Sequence, residues 1–110
     1  MNKYRDKSDF EINKTVAECK YGIGCTGKTQ GGDVIVFTDS FTAVFDPCNN
    51  PADAYPIIFE NKININFRES IKTGVMAELS GWSGVYSINE NPLRAAMEVF
   101  LMMKDAENEK

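Results

Sequence analysis

The chain contains no histidine. That removes the commonest general base, the usual activator of a serine or cysteine nucleophile, and the commonest zinc ligand. Cysteine is scarce and odd in number: Cys19, Cys25 and Cys48, with no pair at C-x-x-C spacing. In a chain whose opening, "MNKYRDKSDF", lacks the apolar middle of a secretory signal, this reads as reduced thiols in a cytoplasm rather than a disulfide framework. No apolar run approaches the length of a membrane span, so a membrane is not expected as a partner. Long linkers, low-complexity tracts and strong internal repeats are absent too.

The 110 residues suffice for one domain with one core. The expected organisation is a single domain over residues 1–110, with a folded core at 7–106 and a frayed tail at 107–110. A hydrophobic fraction of 43% and a charged fraction of 25% are those of an ordinary globular protein. The net charge of −4 comes from scattered acids and bases, which disfavours general nucleic-acid binding.

Three helix starts stand out. "SDFE" forms a capping box, with Ser8 as cap and Glu11 reaching back. Helix one then runs from about Asp9 to Lys20, with Ile12, Val16 and Cys19 as its apolar stripe. Asn50-Pro51 and Asn91-Pro92 pair a strong cap with a proline that gives up an unneeded amide. The second helix, about Pro51 to Asn61, carries Ala54, Tyr55, Ile58 and Phe59 on one side, with Pro56 expected on the wet face. In the third, from Pro92 to about Asp105, Arg94, Glu98 and Asp105 form one narrow polar stripe. Leu93, Ala95 to Met97 and Val99 to Met103 fill most of the remaining circumference. A helix this apolar must be covered on more than one side, by its own domain or by another subunit.

Strand signals lie between the helices. "VIVF" at Val34 to Phe37 is a short apolar run; "FTAVF" alternates through Phe41, Ala43 and Phe45. In "KININF", Ile63, Ile65 and Phe67 point one way and Asn64 and Asn66 the other. "VMAEL" and "VYSI" flank "SGWSG", which reads as a turn between antiparallel strands. The expected fold class is α+β, an antiparallel sheet of about four strands packed with three helices, in the order α-β-β-α-β-β-α.

Gly22 to Thr29, "GIGCTGKT", has the written form of a phosphate-binding P-loop. A working P-loop needs a strand before the glycines and a helix after Lys-Thr, to aim amides at the phosphates. Here a helix precedes, and "QGGDVIVF" follows with poor helix formers and then a strand. The string therefore reads as a Gly-rich connection with a solvated Lys28. Cys19, Cys25 and Cys48, with Asp46, could supply a zinc set only without the usual spacing. Cys19 is expected in the core, and Cys25 in a loop without a base. Asp33, Asp39, Asp46 and Asp53 could gather around a cation, but turns and helix first turns favour aspartate for their own reasons. No catalytic, cofactor or metal residue is therefore assigned. Trp82, alone in its turn, and Val99 and Met102 on the third helix are the candidate protein contacts.

"KSDFEIN" at residues 7–13, "DPCNNPADAYPIIFENKI" at Asp46 to Ile63 and "NPLRAAMEVFLMM" at Asn91 to Met103 resemble NinX, a family of small proteins of lambdoid phages and prophages. A looser similarity reaches phage proteins described as α-β-α sandwich domains. The resemblance implies a phage or prophage source and a bacterial cytoplasm, and it implies no reaction. The expected function is a non-enzymatic accessory protein that binds a host or phage protein, with a homodimer as one form. The alternatives are a nucleotide binder using Gly22 to Thr29, and a nucleic-acid binder using an open sheet face around Asn64, Asn66 and Tyr86.

Overall fold

The computed structural model describes residues 2–66, 74–80 and 84–108. Helix α1, Asp9–Tyr21, begins at Ser8, whose hydroxyl accepts the Glu11 amide while the Glu11 carboxylate accepts the Ser8 amide. Two donors without intrahelical partners are satisfied at one stroke. A hairpin sheet follows: β1 Thr26–Lys28, β2 Val34–Phe37 and β3 Thr42–Phe45, antiparallel in that order. Helix α2, Pro51–Glu60, is capped by Asn50, whose side chain accepts the Ala52 amide at 3.0 Å. The second sheet is β4 Ile63–Asn66, β5 Val75–Leu79 and β6 Tyr86–Asn89. The last helix, α3, Pro92–Asn108, starts on Asn91, which accepts the Leu93 amide at 2.9 Å.

The fold is therefore α+β with three helices, and each strand block stands where expected between them. The single sheet of about four strands is corrected, among the described residues, to six strands in two separate three-stranded sheets. One reason is β1. Thr26, Gly27 and Lys28 carry no alternation of apolar residues, so nothing local marks a strand; pairing with Val34 to Val36 creates it. The layer order also departs from a helix-sheet-helix sandwich. α3 packs on β4, β5 and β6, α1 and α2 pack on α3, and α1 also packs on β1 and β2. The helices thus lie between the two sheets.

This layering accounts for the all-round apolarity of α3. Ala95, Ala96, Met97 and Val99 are fully buried, and Phe100, Leu101 and Met103 nearly so. Sheet and helices cover it from several directions, so its own chain supplies the shelter. The first sheet turns Val34, Val36 and Phe45 inward. The second turns Ile63, Ala77 and Leu79 inward and leaves Asn64, Asn66, Met76, Glu78, Tyr86 and Ile88 on the opposite face.

Two helix faces differ from expectation. Cys19 is exposed, and the buried residues of α1 are Ile12, Asn13, Val16 and Ala17. Asn13 can be buried because its amide donates to Asp46 at 2.7 Å while its carbonyl accepts the Cys48 amide at 3.0 Å. In α2, Ala54, Ile57 and Ile58 face inward, whereas Tyr55 and Phe59 are exposed beside Pro56. Among the described residues no helix is long and apolar enough to cross a membrane.

Gly74 opens β5 against the end of β6. A Cβ at this position would lie 2.5 Å from both the carbonyl carbon and the oxygen of Asn89. Gly74→Ala should therefore displace the β5–β6 pairing and lower stability by roughly 1–3 kcal/mol. Urea denaturation measures the loss; an unchanged midpoint would contradict the close approach.

Candidate functional site

Buried ionisable groups are where catalysis is first sought. Among the described residues such a cluster is built on the polar stripe of α3, which faces the protein rather than solvent. Arg94 and Glu98 lie one turn apart, and the Arg94 Nε donates to Glu98 Oε2 at 2.7 Å. Its Nη1 donates to Asp9 Oδ1 at 2.6 Å, and its Nη2 donates to the carbonyls of Tyr4 and Lys7 at 2.9 and 2.6 Å. Glu98 is wholly buried and also accepts the Ser87 hydroxyl and the Asn2 amide. Further along α3, the Tyr4 hydroxyl donates to Asp105, which also pairs with Lys3.

Burial pulls the Arg94 guanidinium down, but the bonds to Asp9 and Glu98 outweigh it and hold the group above its ordinary value. Burial, helped by the Asp105 carboxylate, raises the Tyr4 phenol well above the usual range. Among the described residues no buried side-chain nitrogen or oxygen lacks a partner. The whole set thus ties residues 2–9 to α3 and β6, and two of its members, Asn2 and Ser87, also line a cavity on the β6 side.

The P-loop-like string runs from the end of α1 into a strand. Gly22 caps the helix with φ of 106°, Gly24 has φ of 94°, and Lys28 closes β1. The Lys28 ammonium sits 5.1 Å from the centre of the Phe10 ring. Thr29 and Asp33 then clasp the hairpin turn, the Asp33 amide donating to Thr29 Oγ1 at 3.0 Å. A strand and a hairpin turn follow instead of a helix, so the string lacks the helix N-terminus that would aim amides at a phosphate.

The other chemistry-bearing residues are dispersed. Cys48 is fully buried, and burial raises its thiol above the usual range. Cys25 is half-buried, its thiol donating to the Tyr21 carbonyl. Asp46 accepts the side-chain amides of Asn13 and Asn49, and Asp53 accepts the Asp46 amide at 3.0 Å. Among the described residues no three metal-ligating side chains gather. Asn64, Asn66 and Tyr86 do share the outer face of the second sheet, but the charged strand residue on that face is Glu78.

Of the three candidate contacts, Trp82 lies outside the described residues. Val99 has no exposure and is unavailable to a partner; its apolarity is spent inside its own chain. Met102 is half-buried and lines a cavity of about 360 Å³ with Asn2, Arg5, Tyr86 and Ile88. A larger groove, about 530 Å³, lies between α2 and β4. Tyr55 and Phe59 form its wall, 56% and 69% exposed, with ring centroids 5.0 Å apart at 89°. Ile58, Ile63 and Ile65 line it, and Lys62 stands at the turn from α2 into β4. Sequence reasoning placed Tyr55 and Phe59 on the core side of α2; Ile57 takes part of that place, and no local signal marked the change.

A family model described as bacteriophage P22, NinX, matches residues 3–104. No curated protein matches the chain. No solved structure matches it either.

Two outcomes test the buried cluster. Arg94→Met leaves Glu98 charged and uncompensated and should cost about 3–5 kcal/mol. The double substitution with Glu98→Leu should cost clearly less than the two single losses added, as urea denaturation of all four proteins would show. The second concerns pH. Because the folded Tyr4 phenol lies above its ordinary value of 10.0, the folded state holds that proton more tightly than the unfolded chain. Its stabilisation is complete below that value and falls as the pH rises beyond it. The native chain should lose stability more steeply on the alkaline side than Tyr4→Phe does.

Proposed function

The chain belongs to the family of bacteriophage P22 NinX, and on that premise we propose that it is a non-enzymatic phage or prophage accessory protein that acts by binding another protein. The observation that carries this reading is the contrast between its interior and its surface. The buried polar groups are committed to holding the fold, while Phe37, Val44, Tyr55 and Phe59 are about half exposed or more. A large exposed apolar side chain forgoes about 1.5–3 kcal/mol of burial, and clusters of them mark interaction surfaces.

Two such clusters support it. One is the outer face of the first sheet, where Ile35, Phe37 and Val44 stand on adjacent strands and Phe37 and Val44 are about half exposed. Gly27 lets the Phe37 ring lie across β1; a Cβ there would sit 3.1 Å from the ring. The other is the α2–β4 groove. The three free cysteines suit a reducing bacterial cytoplasm as the place of action. The partner is a protein of the host or of the phage, and self-association is a second form of the same reading.

Affinity capture from infected or lysogenic bacteria tests it, with the native chain, Phe37→Ser and Phe59→Ala as baits. A specific protein should be retained by the native bait and fall roughly tenfold or more with one variant, the loss expected when an anchoring aromatic is removed. Light scattering on the purified chain reports self-association. Identical capture by all three baits and by an unrelated acidic protein, from a chain that stays monomeric, would reject the reading.

A further inference from the structure

We infer that the groove between α2 and β4 is a strand-addition site for an extended peptide segment of a partner protein, one that places an apolar side chain next to a carboxylate. The inference rests on the protein-binding reading and names where and what the chain would bind.

The hydrogen-bond phase of the second sheet gives the first argument. The Leu79 amide donates to the Val85 carbonyl at 3.0 Å, and the Ser80 amide donates to the Lys62 carbonyl at 3.0 Å. In an antiparallel ladder successive residues of a strand turn their backbone groups to opposite sides. Val75, Ala77 and Leu79 therefore bond β6, and Met76 and Glu78 bond β4 through Asn66 and Asn64. Ile63 and Ile65 are left with N–H and C=O groups that the ladder does not use. Such an edge is a template for another strand.

The surroundings of this edge select what lies on it. The opposite edge, β6, is flanked by Asn2 and Arg5 of the N-terminal segment. Among the described residues, those of α2 that stand beside β4 are Tyr55, Ile58 and Phe59. The two rings brace each other edge to face, so an incoming apolar side chain meets a preorganised wall. The volume of about 530 Å³ accommodates a large side chain and its flanking backbone.

Charge supplies the third argument. Lys62, held at φ of 54° by the tight α2–β4 turn, is the one charged residue lining the groove among the described residues. Among the described residues its ammonium pairs with no carboxylate. An occupant with a carboxylate beside its apolar residue answers both features. A second copy laying its own β4 along this edge would bring Ile63 to Asn66, which contain no acid.

Amide NMR of the full labelled chain tests this with three short blocked peptides: alternating valine and glutamate, alternating valine and lysine, and the glutamate peptide with a central proline. The expected result is saturable shifts confined to α2 and β4 with the glutamate peptide. Affinity should drop about tenfold or more for the lysine and proline peptides, and likewise for Phe59→Ala and Lys62→Glu. Phe37→Ser should bind the peptide as the native chain does. Equal affinity for the glutamate and lysine peptides, or shifts centred elsewhere, would overturn the inference. So would concentration-dependent protection of the Ile65 amide without peptide, which assigns the edge to a second copy. Protection at every concentration assigns it to the chain itself, with the same consequence. If the peptides fail while cellular capture depends on Phe37, the groove is rejected and the protein-binding reading stands.

Discussion

A single guanidinium in a nearly dry environment organises this molecule. Arg94 sits 7% exposed and spends its donors on a carboxylate of its own helix, a carboxylate of α1 and two main-chain carbonyls of the N-terminal segment. Taking a charge out of water costs several kcal/mol, and only complete pairing returns it. The pairing draws two segments that are far apart in the chain, residues 4–9 and α3, to one point. Glu98 extends it to β6 through Ser87 and to the N-terminus through Asn2. The start of the chain is thereby fastened against the end of the fold, and the second sheet is seated on α3.

That arrangement separates the polar chemistry of the protein from its accessible surface. A buried arginine, a buried glutamate and a tyrosine with a raised phenol bond the N-terminal segment to α3. The surface instead shows aromatic and aliphatic side chains on α2 and on the outer face of the first sheet, and strand edges with unused backbone groups. With the helices between two sheets, each sheet keeps one face and at least one edge outside among the described residues. A layer order with helices outermost would have hidden those faces.

The sequence marked the helix starts well because capping is local. Ser8, Asn50 and Asn91 each bind an amide two or three residues ahead, and no distant partner is needed. The strands with apolar runs or alternation were equally legible. The family was legible from three blocks of residues, and a match over residues 3–104 agrees. Misreadings arose where two partners far apart decide the outcome. Cys19 and Asn13 both fall near the inner side of α1, and polarity alone favours the thiol for burial. Asn13 is buried because Asp46 and the Cys48 amide, more than thirty residues away, satisfy it. In α2, apolarity pointed Tyr55 and Phe59 inward, yet the space beneath is filled by Ala54, Ile57 and Ile58.

The sequence by itself determined the class of elements, their order, the caps that begin each helix and the demand that α3 be enclosed. Each of these depends on contacts within a few residues or on the balance of apolar and polar side chains. Only the tertiary structure decided that the described strands form two sheets, that the charged stripe of α3 faces inward, and that the aromatic pair of α2 stands beside the β4 edge of the second sheet. Those outcomes depend on which distant groups meet. A buried charge is tolerable only beside its partners, and an edge is open only if nothing else pairs with it.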